Sequence, residues 1–173
     1  PDTVLAFAME PVGGASTGAL VAPDSYYTRV REICDEFGVL LIMDEVMSGV
    51  GRTGAFMATE HWNIRADLYA VSKGFAAGYA PLGAMIADEK MVDTVLNNGG
   101  FPHGHTYSGN PLACAAGLGV LTEIDRLDLI ANTRAMGDVL MAGLGDLMTR
   151  HNFIGDVRGK GLLTAFGVVA DRE

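Results

Sequence analysis

The sequence predicts an α/β fold of three layers, with a largely parallel sheet between helices, followed by the start of a smaller α+β domain. Two observations carry this. Thr3 to Met9, Val39 to Met43 and Leu68 to Val71 are apolar almost throughout and alternate with helical patterns, as strands buried on both faces do. Phe153 to Arg158 and Leu162 to Val169 follow one long helical pattern and have no partners in the chain, so they read as the opening of a second domain. The expected divisions are 1–126 for part of the large domain, 127–152 for a long interdomain helix, and 153–173 for the small domain.

Each element has a local reason. The first strand stops at Glu10-Pro11, and Gly13, Gly14 and Gly18 make a loop. Asp24 can cap a helix to about Phe37, with Tyr26, Tyr27, Val30, Ile33, Cys34 and Phe37 on one face. Gly38 stops it. Val39 to Met43 is the second strand and 49–54 a loop. Residues 55–61 suit a short helix, Leu68 to Val71 the third strand and Gly83 to Ala87 a fourth. Asp88 caps a helix with Met91, Val92, Val95 and Leu96 inward. Asn110-Pro111 starts another, with proline in the first turn where it is tolerated. From about Asp128 to His151 an apolar stripe recurs at helical spacing, including Leu129, Met136, Leu140 and Leu147. The glycines of 155–167 separate the last two strands.

Composition narrows the class. At 173 residues, 49% of them apolar, the chain can bury one good core, or one domain plus part of another. No apolar run approaches the roughly 20 residues of a membrane span. The start, Pro1-Asp2-Thr3, has no signal-like segment and no initiator methionine, so a native N-terminus is not expected there. Twelve basic residues against 21 acidic give a net charge of -9, which argues against binding a nucleic-acid backbone. Cys34 and Cys114 sit in apolar helical contexts and read as reduced core thiols, in keeping with a cytoplasmic protein.

Three expected strands end in an ionisable residue: Glu10, Asp44 and Lys73. Ligands of open α/β sheets gather at the carboxyl ends of strands. A lysine in an apolar pocket yields the neutral amine that condenses with a carbonyl. A carboxylate such as Asp44, 29 residues upstream, would keep a pyridine nitrogen protonated, so that the ring acts as an electron sink.

The stretches LLIMDEVMSGVGRTGAF, ADLYAVSKGFAAGYAPLGA and HGHTYSGNPLACAAG resemble the class III (ω-type) aminotransferases, pyridoxal-phosphate enzymes of fold type I. The resemblance runs through the whole chain in the family's order. It implies a transaminase that moves an amino group from an amine or ω-amino acid to a 2-oxo acid such as pyruvate. Lys73 is then the Schiff-base lysine, and Asp44 pairs with the pyridine nitrogen. Val46 packs on the ring, and Glu10, in MEPVGG, lies near the substrate. Thr106 reaches the cofactor phosphate of a neighbouring subunit, which implies a homodimer with sites at the interface. Arg52, in GRTG, has a structural role. Met47 stands where ornithine- and GABA-type members often carry glutamine, which leans toward the ω-amino-acid or amine:pyruvate branch.

Members of the family are far longer. Their upstream Gly/Ser phosphate cup, their ring-stacking aromatic and a downstream substrate-gripping arginine are expected outside this sequence. That reads as a fragment, a cleaved product or part of a split chain, and one that binds the cofactor poorly alone. A decarboxylase or an aminomutase would use the same lysine and aspartate. Gly49, Gly51 and Gly54 match G-x-G-x-x-G, which leaves a Rossmann oxidoreductase as a rival of different chemistry, and an inactive or truncated subunit is a third reading. His103 and His105 lack a supporting Cys or carboxylate cluster, so no metal is expected.

Overall fold

The computed structural model describes residues 3–172; Pro1 and Asp2, read above as the chain's start, and Glu173 lie outside them. The described elements are β1 (Ala6–Met9), α1 (Asp24–Phe37), β2 (Leu40–Asp44), a 3-10 turn (Ala58–Trp62), β3 (Leu68–Val71), a second 3-10 turn (Lys73–Phe75) and β4 (Ala84–Ala87). They continue with α2 (Glu89–Asn97), α3 (Pro111–Arg126), α4 (Leu129–Arg150), β5 (Ile154–Lys160) and β6 (Leu163–Val168). The fold is α/β, as the sequence predicts. β1 to β4 form one sheet in sequence order, in which β1, β2 and β3 are parallel and β4 runs antiparallel on β3.

Local chemistry sets the helix ends. Gly38 closes α1 in the left-handed conformation, at φ 64°, and its N–H reaches Asp35 O. Asp88 accepts Met91 N at the start of α2, and Asn110 accepts Leu112 N and Ala113 N ahead of Pro111. Asp24 does not cap α1. It is already the first helical residue, behind Pro23, and its carboxylate accepts Trp62 Nε1 at 2.8 Å.

One of two buried clusters among the described residues lies between the sheet and α1. Leu41 and Met43 point toward α1 and pack with Cys34 and Ala66. Strand alternation then turns Leu40, Ile42 and Asp44 to the opposite face. The packed stripe of α1 is narrower than its apolar pattern. Tyr27 and Cys34 are buried, whereas Tyr26, Ile33 and Phe37 stay exposed. Cys114 departs from the core expectation: α3 turns the small residues Ala113 and Gly117 inward, one turn apart, and leaves Cys114 outside.

β5 and β6 pair with each other as an antiparallel hairpin. They also have partners upstream, which the sequence does not reveal. Leu163 is buried with Val12, Ala19 and Ala58. Leu162 N donates to Arg52 O at 3.0 Å, and Arg158 Nε to Gly18 O at 2.7 Å. The turn needs Gly161, at φ 57°, because a Cβ there would lie 2.4 Å from the Thr53 carbonyl carbon. Helix α4 crosses the same point through Gly137, whose Cβ would meet the Gly161 backbone at 2.8 Å. Met136 and Leu140 of the expected α4 stripe are exposed. No helix among the described residues is long and apolar enough to cross a membrane.

At the amino end of β3, Asp67 ties α1 to the sheet. Its Oδ2 accepts Leu41 N at 2.7 Å and Arg31 Nη1 at 2.8 Å. Burial alone pushes the Asp67 carboxyl up, but the Leu41 N–H and the Arg31 guanidinium outweigh it and hold it below the ordinary carboxylate value. A depressed folded value gives stability that is present above the unfolded value and is lost as pH falls through the folded one. Asp67→Asn is therefore expected to lose about 1–2 kcal/mol near neutral pH, the scale of a partly buried charged hydrogen bond. Urea denaturation should show that deficit shrinking as the pH falls below the ordinary carboxylate range.

Candidate active site

Parallel pairing brings the carboxyl ends of β1, β2 and β3 to one edge, and the three singled-out ionisable residues follow them there. Glu10 comes directly after Met9, Asp44 is the last residue of β2, and Lys73 lies two residues beyond Val71. Asp44 is in register with Ala70 of β3, three residues before Lys73. The Asp44 side chain is half-buried on the sheet face away from α1. Its Oδ1 accepts Val46 N at 3.0 Å, and among the described residues no donor is paired with Oδ2.

Lys73 opens the short 3-10 turn at φ 41°, in the left-handed region that non-glycine residues enter at a cost. Phe75 N bonds Ser72 O at 2.8 Å, and Ser72 Oγ bonds Leu82 O at 2.9 Å, which pins both ends of the segment. Gly74 packs under Val50, itself at φ 57°. The expectation of an apolar pocket for Lys73 is not met: its side chain is exposed. It borders a cavity of about 590 Å3 lined by Arg52, Ser72, Pro81 and Leu82 among others.

Glu45 is fully buried between Asp44 and Val46. Its carboxylate accepts Ser48 Oγ at 2.6 Å and Thr59 N at 3.0 Å. Burial pushes the Glu45 carboxyl above the ordinary glutamate value, and the Ser48 hydroxyl and the N–H groups of Thr59 and Ala58 offset part of that.

Glu10 and Met47 meet at Gly14. Gly14 N donates to Glu10 Oε2 at 2.9 Å, and a Cβ on Gly14 would lie 2.7 Å from Glu10 Oε1 and 3.0 Å from Met47 Sδ. Tyr27 clamps this loop at its base: its hydroxyl donates to Pro11 O at 2.7 Å and accepts Ala22 N at 3.0 Å. The Tyr27 ring stacks on Trp62 at 3.6 Å between centroids, and Lys160 Nζ sits 5.3 Å from the Trp62 ring.

Thr106 lies apart from these residues, in an exposed turn. The rings of His103 and His105 stand edge to face in the same exposed segment, and no group of metal-ligating residues occurs among the described residues. The Gly49–Gly54 run opens no helix. Gly51 lies under Ile130, and Gly54 O accepts Arg134 Nε at 2.6 Å, so both glycines serve packing against α4. A dinucleotide fingerprint needs the opposite context, the mouth of a helix behind a strand. The sequence does not mark Glu45, Tyr27 and Arg158 as residues that shape this site. Only Glu45 had a local signal, as a second acid after a buried strand.

The family model described as aminotransferase class III matches residues 1–173. A curated aminotransferase of Gibberella zeae is 40% identical over 174 residues, which cover 100% of this chain and 34% of that protein. A taurine–pyruvate aminotransferase of Bilophila wadsworthia is 41% identical over 177 residues, covering 99% and 39%. Among solved structures, an amine transaminase from an uncultivated Pseudomonas species, in its pyridoxal-phosphate-bound form, superposes with a TM-score of 0.91 at 43% identity, over 96% of this chain and 38% of that one. A Bacillus anthracis aminotransferase gives 0.93 at 36%, over 99% and 38%. The chain thus spans well under half the length of the relatives it matches.

The backbone strain at Lys73 can be tested without any ligand. Lys73→Gly is expected to be more stable than Lys73→Ala by about 1 kcal/mol, since only glycine enters the left-handed region freely. Denaturant titration of the two variants checks this; an alanine variant of equal or greater stability would show a relaxed backbone.

Proposed function

Because the chain belongs to the class III aminotransferases, we propose that it is the lysine-bearing part of a transaminase, which moves an amino group from an amine or ω-amino acid to a 2-oxo acid such as pyruvate. The observation that carries the proposal is the common strand edge of Asp44 and Lys73, with Asp44 in register with Ala70, three residues before Lys73. The donor set fits pyridoxal phosphate. A carboxylate oxygen without a protein donor among the described residues can face a ring nitrogen, and an exposed amine beside a cavity of about 590 Å3 can take an aldehyde.

In this reading Lys73 would hold the cofactor covalently, Asp44 its ring nitrogen and Val46 one ring face. Thr106 would hold the phosphate bound in the partner subunit of a homodimer. When bound, pyridoxal phosphate supplies an electron-poor cationic ring that acidifies the substrate carbon next to nitrogen. Lys73 Nζ would accept and deliver the proton of that carbon. Asp44 keeps the proton on the ring nitrogen by its charge. Glu10 and Met47, joined at Gly14, border the substrate. Met47 cannot donate a hydrogen bond to the ring hydroxyl, and the similarity to a taurine–pyruvate aminotransferase and to an amine transaminase supports the same branch. A cytoplasmic location and the division into 1–126, 127–152 and 153–173 belong to the same proposal.

The test uses the full-length protein. Borohydride reduction with pyridoxal phosphate, followed by peptide mapping, should place the label on Lys73. Alanine formation from pyruvate and an amine donor should fall about a thousandfold or more in Lys73→Ala, the scale of losing the proton-transferring group. Asp44→Asn should lower it by about a hundredfold or more, through loss of charge stabilisation at the ring. A label elsewhere removes the proposal, whereas carbon dioxide release without need of a carbonyl acceptor would favour a decarboxylase.

A further inference from the structure

Resting on the reading above, we infer that Glu45 is a positioning residue, whose buried carboxyl holds the Asp44–Gly49 turn closed so that Asp44 and Val46 are presented together at the edge that bears Lys73. Four bonds converge on this one residue. Its N–H donates to Ala70 O at 2.9 Å, which continues the pairing of β2 with β3 one step past Asp44. Its carbonyl accepts Gly49 N at 2.9 Å, which closes the turn. Its carboxylate oxygens accept Ser48 Oγ from within the turn and Thr59 N from the 3-10 turn.

The space is filled to match. A Cβ at Gly49 would lie 2.8 Å from Glu45 O and 3.0 Å from Glu45 Cβ, so the turn closes directly over this side chain. Two groups at the edge hang from it. Val46 N, the residue after Glu45, donates to Asp44 Oδ1 and so sets the aim of that carboxylate. Val50, the residue after Gly49, packs on Gly74 beside Lys73. One buried side chain therefore braces both halves of the edge from behind. It lies out of reach of any ligand, since it has no exposed surface.

Truncation would leave the Ser48 hydroxyl and the Thr59 N–H without their acceptor inside the core. Glutamine is nearly isosteric: its Oε1 can still accept Thr59 N, and its amide can donate to Ser48 Oγ. Glu45→Ala and Glu45→Gln therefore separate bracing from mere presence of a charge, and Ser48→Ala removes one brace without opening a large cavity.

Two measurements on the full-length protein decide it, both well below the unfolding temperature of each variant. In the cofactor-free protein, amide hydrogen exchange at Val46 and Gly49 should quicken about tenfold or more in Glu45→Ala, and by less in Ser48→Ala, while Glu45→Gln stays within about threefold of wild type. Titration with pyridoxal phosphate, followed by its visible band, should show affinity weakened about tenfold in Glu45→Ala and restored in Glu45→Gln. Unchanged exchange at Val46 in Glu45→Ala overturns the inference, and so does quickened exchange with unchanged affinity. If wild type develops no visible band, the transaminase reading is what fails, and the exchange measurement alone decides whether Glu45 holds the turn.

Discussion

The structure depends on the parallel pairing of β2 with β3. Only a parallel pair brings two carboxyl ends to the same edge, and here that edge receives a carboxylate from one strand and an amine from its neighbour. The register is enforced by burial on one face. Leu41 and Met43 lock against Cys34 and Ala66, and a slip of one residue would turn Asp44 into that apolar core and Met43 out of it. Asp67 secures the other end of the same pair through Leu41 N and Arg31. The register that gives the sheet its core therefore also gives the edge its charges.

Much of this was legible in the sequence, because its causes are local. A continuous apolar run ending in Asp44, and another ending just before Lys73, mark buried strands whose next residues must leave the core. Gly38, Asp88 and the Asn110-Pro111 pair state their helix ends within three or four residues. What was not legible depends on contacts between distant parts of the chain. Arg158 reaches Gly18 across 140 residues, and no periodicity encodes that. Cys114 sits in an apolar helical pattern, yet the facing surface accepts only the small residues beside it. Lys73 is exposed and sits at φ 41°, a backbone setting that no propensity assigns to lysine. Asp24 departs from the expected cap for a related reason: its carboxylate answers to Trp62, 38 residues away, and not to its own helix.

The unfavourable backbone at Lys73 does not stand alone. Val50 and Ala77, also at positive φ without being glycine, lie on the segments that flank it. Such conformations persist only where the surroundings over-determine them. Here the surroundings are named: Ser72 bonded to Leu82, Val50 wedged on Gly74, and the Glu45-centred turn behind Val50. In the proposed role Lys73 would gain from this, since a side chain whose backbone has one allowed setting loses less freedom when it must meet a ligand at a fixed point.

The two halves of the candidate site are held by different parts of the molecule, and this bears on how they can move. Asp44 and Lys73 are fixed by the sheet and by the turns at its edge. Glu10 belongs to the 10–22 loop, whose hold is Tyr27 at the base, Arg158 of the hairpin on Gly18, and Leu163 packed with Val12 and Ala19. A shift of the β5–β6 hairpin would therefore be felt first at Glu10, through the loop it grips. It would reach the Asp44–Lys73 edge through Leu162 on Arg52, in the 50–54 segment, and through Leu163 on Ala58, whose neighbour Thr59 bonds Glu45. The Glu10 loop thus takes its hold from the hairpin directly, whereas the Asp44–Lys73 edge rests first on the sheet and feels the hairpin at one remove, through Arg52 and Ala58.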